Sequence, residues 1–425
     1  MILAKIAAGA TLLSYRPNKM NMIERKISAT GHRTATCFAA VFVNGARYQN
    51  RAGTPAFTLV FRSRAAEWRI AAFGHVGLLE SYFRGSLDIE GDLALAFRAG
   101  YDGGFDMRFK PLVRLRNRWH ELRNSNRSRA QAKANARFHY GLGSGFYRPW
   151  LDHPYMMYTC AYWKEGTRTL EEAQQNKMEH VCRKLLFKAG DTFVDIGCGW
   201  GGFSFYAWER YQARGTGINT TTEQVTAMQE EIRRRGLEDK VKAVEADFRD
   251  IPGQYDKCVS IGVLEHAGRD QVAEVVRAHA HCLKPGGLGM LHFIGHVGVY
   301  ETEFYIRRHI FPGGWIPSLA EVIVEMERAG LEILDIENLR RHYALTLDCW
   351  AQRFDANWER IRAIDPVRFT ETFRRTWRTY LYSCAEMFRA PHGYTHLFQI
   401  VYSKGNATNG YPMSRKHVYS EDAPG

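Results

Sequence analysis

The chain has 425 residues, of which 45% are hydrophobic, and this length suits two or three domains with cores of their own. It contains no run of about 18 uncharged apolar residues, so no transmembrane helix is predicted. Its eight cysteines are scattered, with neither a CxxC pair nor a His–Cys cluster. This pattern excludes a zinc site and a disulfide framework, so we expect no metal and a reduced, cytoplasmic protein.

The first 107 residues divide into a flexible tail, residues 1–22, and a small α/β accessory domain, residues 23–107. The accessory domain is predicted from apolar patterns typical of strands and from a short segment bounded by turns. The predicted strands cover residues 39–44, 56–62 and 68–73, and the turn-bounded segment covers residues 85–91.

Residues 108–130 are strongly basic and are predicted to be a linker. The chain carries a net charge of +13, and its first 130 residues hold 21 Lys and Arg against 9 Asp and Glu. Four apolar residues recur at helical spacing among the arginines, which predicts a helix with an apolar stripe beside a basic face. They are Leu112, Leu115, Trp119 and Leu122. Such a helix can lie on an anionic membrane, or it can be a solvated connecting helix packed on its own protein.

Strands and helices alternate from residue 191 to residue 338, which predicts a parallel, doubly wound sheet within a catalytic domain of residues 131–402. The predicted strands are 192–196, 215–218, 241–244, 257–261 and 288–294. The aromatic, mostly helical pattern of residues 340–402 predicts a cap on this sheet. The polar stretch 403–425 is predicted to be a disordered tail.

The sharpest local signal is the glycine-rich run VDIGCGWGG at residues 194–202, between a predicted strand and a predicted helix. Glycines at such a turn let the backbone approach a ligand closely at the positive end of a helix. Gly197, Gly199 and Gly202 also satisfy the GxGxxG pattern, so the loop alone does not exclude a dinucleotide.

Residues outside the loop separate the two cofactors. A nicotinamide site expects an acidic residue at the end of the second strand, where this chain has Asn219 and Thr220. Here Asp195 precedes the loop, Asp247 follows the third strand, and a Lys-Pro-Gly-Gly turn leads into a late strand. This set of turns is typical of class I S-adenosylmethionine methyltransferases. Its candidate cofactor contacts within the loop are Asp195, Gly197, Cys198, Gly199 and Gly201.

Nine motifs, including part of this glycine-rich run, follow one another in a fixed order from residue 139 to residue 384. They are HYGLG at 139–143, YTCAYW at 158–163, LEEAQQNK at 170–177, DIGCGWGG at 195–202, GVLEH at 262–266, LHFIG at 291–295, IFPGG at 310–314, YALTL at 343–347 and YLYSC at 380–384. Through them, residues from about 135 to 402 resemble cyclopropane-fatty-acyl-phospholipid synthases and the related mycolic acid cyclopropane synthases. The resemblance implies a Rossmann-like class I methyltransferase fold with a helical lipid-binding cap and a smaller N-terminal α/β domain.

The resemblance also implies a bound bicarbonate that acts as a base. The residues implied to hold it are Glu265, His292, Tyr343 and Cys160, with the backbone of Ile294. Tyr343, the Ile294 amide and one tautomer of His292 can donate hydrogen bonds to such an anion. Glu265 would accept the O–H of the bicarbonate and raise its basicity. Cys384 lies in the last motif and is a further candidate, for which we expect a structural role.

Further cofactor contacts are implied by position within the motifs. Tyr158 and Thr159 are implied at the methionine end, Asn219, Thr220 and Gln224 near the ribose, and Asp247 with Phe248 near the adenine. The family commonly has Thr-Leu-Ser where this chain has Asn219-Thr220-Thr221. An asparagine can still bond a ribose hydroxyl, whereas Thr220 removes an apolar contact to adenine.

The expected activity is transfer of a one-carbon unit to the cis double bond of an unsaturated phospholipid acyl chain, with ring closure to a cyclopropane. An alternative is C-methylation that leaves a methyl-branched or methylene chain. A methyltransferase acting on a small molecule or RNA is a third class, with the shared cofactor fold and the positive charge as its support. We further expect peripheral binding to the anionic inner membrane surface, no nucleic acid partner and a homodimer.

Overall fold

The computed structural model describes residues 21–105, 111–408 and 410–420. The N-terminal part has four strands, β1 (Phe38–Val41), β2 (Arg47–Gln49), β3 (Phe57–Phe61) and β4 (Leu87–Gly91). They form one sheet in the order β2-β1-β3-β4, in which β1 and β3 are parallel and the other pairs are antiparallel. Its helices are α1 (Met22–Gly31), α2 (Arg64–Phe73), α3 (His75–Phe83) and α4 (Leu93–Asp102).

The predicted tail of residues 1–22 runs into a helix at its end. Asn21 caps α1, because its side chain accepts from the Glu24 amide at 2.9 Å while the Glu24 carboxylate accepts from the Asn21 amide at 3.0 Å. This reciprocal capping satisfies two backbone donors. Met22 is therefore helical, and residues 1–20 lie outside the described residues.

The predicted strand at residues 68–73 is wrong, because these residues belong to α2. Ala66 and Ile70 are buried one helical turn apart, while Trp68 between them points to solvent. An apolar run this short does not distinguish a strand from a helix by pattern alone. Packing of one helical face against the small domain decides the outcome.

The basic segment is helical, as predicted, but the face that it buries is not the apolar stripe. The elements that follow the small domain are α5 (Pro111–Arg123), α6 (Arg129–Tyr140), α7 (Ser144–Tyr147) and α8 (Leu170–Lys184). Helix α5 turns Val113 and Asn117 inward. All four residues of the stripe, Leu112, Leu115, Trp119 and Leu122, are exposed.

A seven-stranded mixed sheet forms the centre of the molecule. Its strands are β5 (Thr192–Ile196), β6 (Arg214–Asn219), β7 (Val241–Glu245), β8 (Tyr255–Ile261), β9 (Leu283–His296), β10 (Leu331–Asn338) and β11 (Thr395–Lys404). The order is β10-β11-β9-β8-β5-β6-β7. Strands β5 to β9 are parallel and confirm the five predicted strands. Strands β10 and β11 were not predicted, and they pair antiparallel.

Helices cover both faces and the upper edge of this sheet. They are α9 (Gly202–Tyr211), α10 (Thr222–Arg235), α11 (Leu264–Ala267), α12 (Val272–Cys282), α13 (Phe304–His309), α14 (Leu319–Arg328), α15 (Arg340–Ala356), α16 (Trp358–Ile364), α17 (Glu371–Arg389) and α18 (Lys416–Tyr419). Helices α15 to α17 build the predicted cap around a buried aromatic core that includes Trp150, Trp350 and Trp377. No helix among the described residues is long and apolar enough to cross a membrane.

The prediction of a disordered tail from residue 403 is wrong for the described part of that stretch. Strand β11 continues to Lys404, and α18 packs on α8 with Val418 buried. Arg183 donates to the carbonyl of Ser420, and the Tyr419 hydroxyl donates to Glu337 at 3.2 Å. The polar composition did not indicate these contacts, because the segment is held by a few isolated side-chain and backbone contacts. Residues 421–425 lie outside the described residues.

Ion pairs join the N-terminal domain to the cap. Arg98 on α4 makes a two-pronged contact with Glu386 on α17, at 2.7 and 3.1 Å. Arg375 on the same helix reaches Asp88 at 2.6 Å. Glu386 is almost fully buried, whereas the Arg98 side chain is partly exposed, so this contact lies at the edge of the interface. The two domains therefore share a defined boundary along α17.

Candidate active site

The glycine-rich loop between β5 and α9 requires its glycines. Gly197 has a φ of +74°, and a Cβ built on it would lie 2.3 Å from a methyl carbon of Val263. Gly199 has a φ of +57° and would meet just the Gln224 side chain, 4.0 Å away. Left-handed backbone is accessible to glycine without a Cβ clash. The loop can thus lie close to a ligand at the N-terminus of α9.

A cavity of about 160 Å³ opens above this loop. Its lining includes eleven of the twelve residues predicted to bind the cofactor, namely Tyr158, Thr159, Asp195, Gly197, Cys198, Gly199, Asn219, Thr220, Gln224, Asp247 and Phe248. Gly201 is the exception, since its Cβ would point at Met228, 2.8 Å away, in the core behind the loop. Gly202 lines the cavity in its place.

Polar groups in this cavity are held in place by one another. The Asn219 amide donates to the Gln224 side chain at 2.9 Å, and this bond fixes two polar residues that line the cavity. Both carboxylate oxygens of Asp247 accept from Arg249, at 2.6 and 2.8 Å, and this partner lowers the pKa of Asp247 against the effect of burial. Burial raises the pKa of Asp195 to about 7. The residues fit a nucleoside whose hydroxyls need amide and carboxylate partners.

A second cavity of about 110 Å³ adjoins the first, and we call it the acyl cavity after the substrate expected from the sequence. Five residues line both spaces: Tyr140, Tyr158, Thr159, Gly262 and His266. Four of the six predicted catalytic residues line the acyl cavity: Glu265, Ile294, Tyr343 and Cys384. A ligand in the acyl cavity can therefore contact a cofactor in the first cavity directly.

Glu265 is the central polar group of the acyl cavity. Helix α11 follows the carboxyl end of β8 and places this side chain in the buried wall. Its Oε1 accepts from the Ile294 amide at 3.3 Å, whereas Oε2 has no partner among the described residues. Burial raises the pKa of Glu265 to about 7, partly offset by backbone hydrogen bonds. An unpaired buried acceptor of this kind indicates a missing ligand with a hydrogen to donate.

His292 offers the complementary group. It lies two residues before Ile294 on β9, so both side chains leave the same face of the sheet. Its Nδ1 lies 3.0 Å from Gln399 Nε2, an amide donor, which leaves the ring hydrogen on Nε2, and that atom has no partner among the described residues. Burial holds the pKa of His292 well below its usual range. His292 is not part of the lining of the acyl cavity but lies in the strand that forms its wall.

The cysteines and Tyr343 differ in position. Cys160 is buried beside Tyr343, outside the lining of the acyl cavity, and its thiol donates to the Ala161 carbonyl at 3.2 Å. Burial raises the pKa of Cys160, which keeps it a neutral thiol. The Tyr343 hydroxyl has no hydrogen bond with any described residue and lines the cavity, as does Cys384. Burial raises the pKa of Cys384 to about 12.

Aromatic residues complete the wall of the acyl cavity, and most of them had no predicted role. The Tyr158 hydroxyl donates to that of Tyr380 at 3.2 Å, and the Tyr140 hydroxyl lies 3.0 Å from His266 Nε2. Their rings exclude water and present π faces that attract a cation. Tyr140 and Tyr380 both occur in the ordered motifs, at 139–143 and 380–384, so a signal for them was present.

Lys177 is a polar group behind this wall that was also missed. It is fully buried on α8, and its ammonium donates to the Thr159 hydroxyl at 2.9 Å. Burial lowers the pKa of Lys177 to about 8, opposed by the nearby carboxylate of Asp152. The contact fixes Thr159, which lines both cavities. Only folding reveals this role, because Lys177 is eighteen residues from its partner.

Comparisons with known proteins identify the family of this chain. The family model described as mycolic acid cyclopropane synthetase matches residues 127–400. A "Probable fatty acid methyltransferase" of Pseudomonas putida is 36% identical over 350 residues, which cover 80% of this chain and 85% of that protein. The cyclopropane-fatty-acyl-phospholipid synthase of Escherichia coli is 34% identical over 352 residues, covering 82% and 87%.

Solved structures show the same architecture. The cyclopropane synthase MmaA2 from Mycobacterium tuberculosis superposes with a TM-score of 0.59 at 29% identity, covering 64% of this chain and 98% of that one. The mycolic acid cyclopropane synthase CmaA1, complexed with SAH and CTAB, gives 0.59 at 30% identity, with the same coverage. The predicted fold class, an α/β class I methyltransferase, is confirmed. By its family match and its relatives, this chain belongs to the mycolic acid cyclopropane synthetase family.

Proposed function

We propose that this protein transfers a one-carbon unit from S-adenosylmethionine to the cis double bond of an unsaturated phospholipid acyl chain and closes a cyclopropane ring. One observation carries the proposal. A mostly apolar cavity rich in aromatic side chains adjoins the first cavity, called the nucleotide cavity from here on, and contains a carboxylate, Glu265, with an unpartnered oxygen. The motifs and the names of the relatives supply the substrate class.

The first half of the reaction, methyl transfer, requires that the alkene contact the cofactor and that water be excluded from the site. When bound, S-adenosylmethionine would supply an electrophilic methyl group: the π electrons of an alkene would form a C–C bond to it as its S–C bond breaks and SAH leaves, and a cation would remain on the other alkene carbon. Asn219, Gln224 and the loop at Gly199 would hold the nucleoside. Tyr158 and Thr159 line both cavities, so they would orient the reacting groups. The surrounding rings keep water from the cation and stabilise it.

The second half asks for a base beside the added methyl group. When bound, bicarbonate would accept a proton from that methyl group, and the freed C–H electrons would close the ring. Two side chains that line the acyl cavity fit such an anion: the unpartnered Glu265 Oε2 can accept its hydrogen, and the Tyr343 hydroxyl can donate to it. The unpartnered Nε2 of His292, behind the wall, would have to turn towards the anion to donate as well. Neutral His292 would then donate without competing for the proton, because burial keeps its pKa low.

The test is product analysis with the purified protein. Vesicles of unsaturated phosphatidylglycerol, labelled S-adenosylmethionine and bicarbonate are expected to yield labelled fatty acid that resists mild hydrogenation. Glu265→Gln serves as the comparison, and the wild-type protein without vesicles is the blank. Absence of label in the lipid across chain lengths and head groups would contradict the proposal, and label in a small molecule or RNA would replace it.

A second outcome at the same site is a methyl-branched or methylene chain without a ring. The name of the relative from Pseudomonas putida, "Probable fatty acid methyltransferase", specifies methyl transfer without a ring and supports this second outcome. The difference is which proton the base removes, so the same residues serve both outcomes. The two products can have equal mass, and an NMR signal from the ring protons separates them.

We also propose that α5 rests on an anionic membrane surface. Leu115 and Trp119 are 67% and 60% exposed, and Arg114 and Arg118 flank the stripe without an ion pair to any described residue. A solvent-filled cleft of about 1220 Å³ runs beside this helix and shares Arg307 with the acyl cavity. Arginines at the phosphate level and apolar side chains below it would seat the cleft over the lipid that it takes up.

A further inference from the structure

An apolar chamber of about 360 Å³ lies between the N-terminal domain and the catalytic domain, and the proposed function gives it no role. We call it the interdomain chamber. On one side it is lined by the core of the small domain, including Phe38, Phe57 and Phe97. On the other side it is lined by the end of α17 and the loop after it, including Met387 and Pro391. Concave, mostly apolar pockets at domain interfaces are the usual sites of ligand binding, so this chamber is a candidate site.

The chamber and the acyl cavity share one wall. Six residues line both spaces: Tyr101, Glu303, Tyr305, Met387, Tyr394 and Thr395. The centre of the wall is a small hydrogen-bonded group, in which the Tyr101 hydroxyl donates to the Ser383 carbonyl at 3.2 Å and the Tyr305 hydroxyl bonds to the Ser383 side chain. The nucleotide cavity, the acyl cavity and the chamber therefore follow one another in that order.

The polar cleft beside α5 meets the acyl cavity through Glu301, Arg307 and Tyr394, the last of which also lines the chamber. An amphiphile in the acyl cavity has a charged end and an apolar end. The arginine-lined cleft suits the charged end, and the chamber suits the apolar end. An apolar cavity of about 150 Å³ binds one benzene, so by proportion the chamber has room for roughly a dozen carbons.

We propose that the interdomain chamber binds the methyl-terminal segment of the acyl chain, the part beyond the reacting double bond. The proposal rests on the proposed function, because it assumes that an acyl chain is the substrate. It gives the N-terminal domain a direct role, since that domain supplies half of the binding surface. The depth of the chamber then selects chains by the number of carbons that follow the double bond.

Gly100 provides a variant that fills the chamber without disturbing the fold. It lies in α4 and lines the chamber, and a Cβ built on it would have no atom within 4 Å. Gly100→Phe would project a ring into the space, and Gly100→Ala adds a methyl group alone. Both replace a glycine within a helix, which favours helix formation. Gly100→Ala is therefore the matched control.

The experiment compares three phosphatidylglycerol substrates with cis-9-tetradecenoyl, cis-9-hexadecenoyl and cis-9-octadecenoyl chains, which differ solely in the tail after the double bond. Wild type and Gly100→Ala should use all three. Gly100→Phe should lose activity progressively with tail length, at least about tenfold more on the longest than on the shortest. Thermal midpoint and SAH affinity should not change. Equal loss on all three substrates, or loss that follows the length of the neighbouring saturated chain, would overturn the proposal.

A second measurement does not depend on turnover. Phosphatidylglycerol with a diazirine at the methyl end of its unsaturated chain is photolysed with wild type and with Gly100→Phe. We expect labelled peptides from residues 93–102 in the wild type and loss of that label in the variant. Label confined to peptides that contain no residue lining the chamber would overturn the proposal. A wild type that labels residues 93–102 yet forms no product would instead contradict the proposed function.

Discussion

The amide of Ile294 donates to Oε1 of Glu265 at 3.3 Å, while Oε2 of the same carboxylate has no partner among the described residues. One oxygen is thus used to fix the side chain, and the other is left for a ligand. Ile294 is on β9 and Glu265 follows β8, so the contact bridges the carboxyl ends of two adjacent parallel strands. Ligands bind at this edge in doubly wound sheets.

The pH dependence of turnover should report Glu265. Burial raises its pKa to about 7, so the fraction that is a carboxylate increases as the pH rises through 7. If Glu265 accepts a hydrogen during turnover, kcat should climb about tenfold per pH unit below 7 and level off above it. Saturating S-adenosylmethionine is needed, because Asp195 in the nucleotide cavity has a similar pKa. A flat wild-type profile between pH 5.5 and 8 would contradict the role of Glu265.

Glu265→Gln should lower kcat by about 10²–10⁴-fold, in line with the loss of a positioned acid–base group. The variant should bind SAH normally, since Glu265 does not line the nucleotide cavity. Calorimetry of SAH binding beside the lipid assay separates the two effects. Weakened SAH binding with kcat intact would place Glu265 in the cofactor site instead.

Tyr343→Phe should lower kcat by about tenfold to a hundredfold and leave folding nearly unchanged. Its hydroxyl has no hydrogen bond to any described residue, so its removal leaves no protein partner unsatisfied. Tyr382→Phe is the matched control, because that hydroxyl donates to Asp355 at 2.9 Å away from the acyl cavity. We expect Tyr382→Phe to keep its activity. Equal activity of the two variants would remove Tyr343 from the mechanism.

Gly197→Ala should abolish cofactor binding, whereas Gly190→Ala should not. Both glycines have positive φ, of +74° and +86°, so each substitution costs about 1–3 kcal/mol of folding free energy. A Cβ at Gly197 would also collide with Val263, while one at Gly190 meets no atom within 4 Å. SAH affinity should fall by more than about tenfold in Gly197→Ala alone. Parallel losses in both variants would indicate a general folding defect.

Replacing Leu115 and Trp119 together by Ser should weaken vesicle binding by about a hundredfold or more, because each apolar side chain of this size gains roughly 1.5–3 kcal/mol on burial. Trp68→Ser is the control, since Trp68 is 75% exposed on α2. Sedimentation with anionic liposomes measures the effect, and the affinity should decrease with added salt. Unchanged sedimentation of the double variant would show that α5 is not the membrane-facing helix.

Local pattern was sufficient for much of the fold. The central parallel strands β5, β8 and β9 carry apolar runs that are largely buried, and all five parallel strands overlap their predicted positions. The loop at residues 194–202 was equally readable, since glycine is required wherever φ is positive next to a ligand. Pattern failed at residues 68–73, where a short apolar run suited either element, and at residues 403–420, where isolated anchors hold a polar segment.

The sequence by itself determined the class of the fold and the identity of the candidate catalytic residues, because ordered motifs and strand periodicity are local properties. Only the tertiary structure decided which of those residues share a cavity. Glu265 and Tyr343 are brought together from distant segments, while Cys160 and His292 lie just behind the wall. It likewise decided that the apolar stripe of α5 faces solvent and that a chamber opens between the domains. Burial and cavities belong to contacts between segments far apart in the chain, and no single segment encodes them.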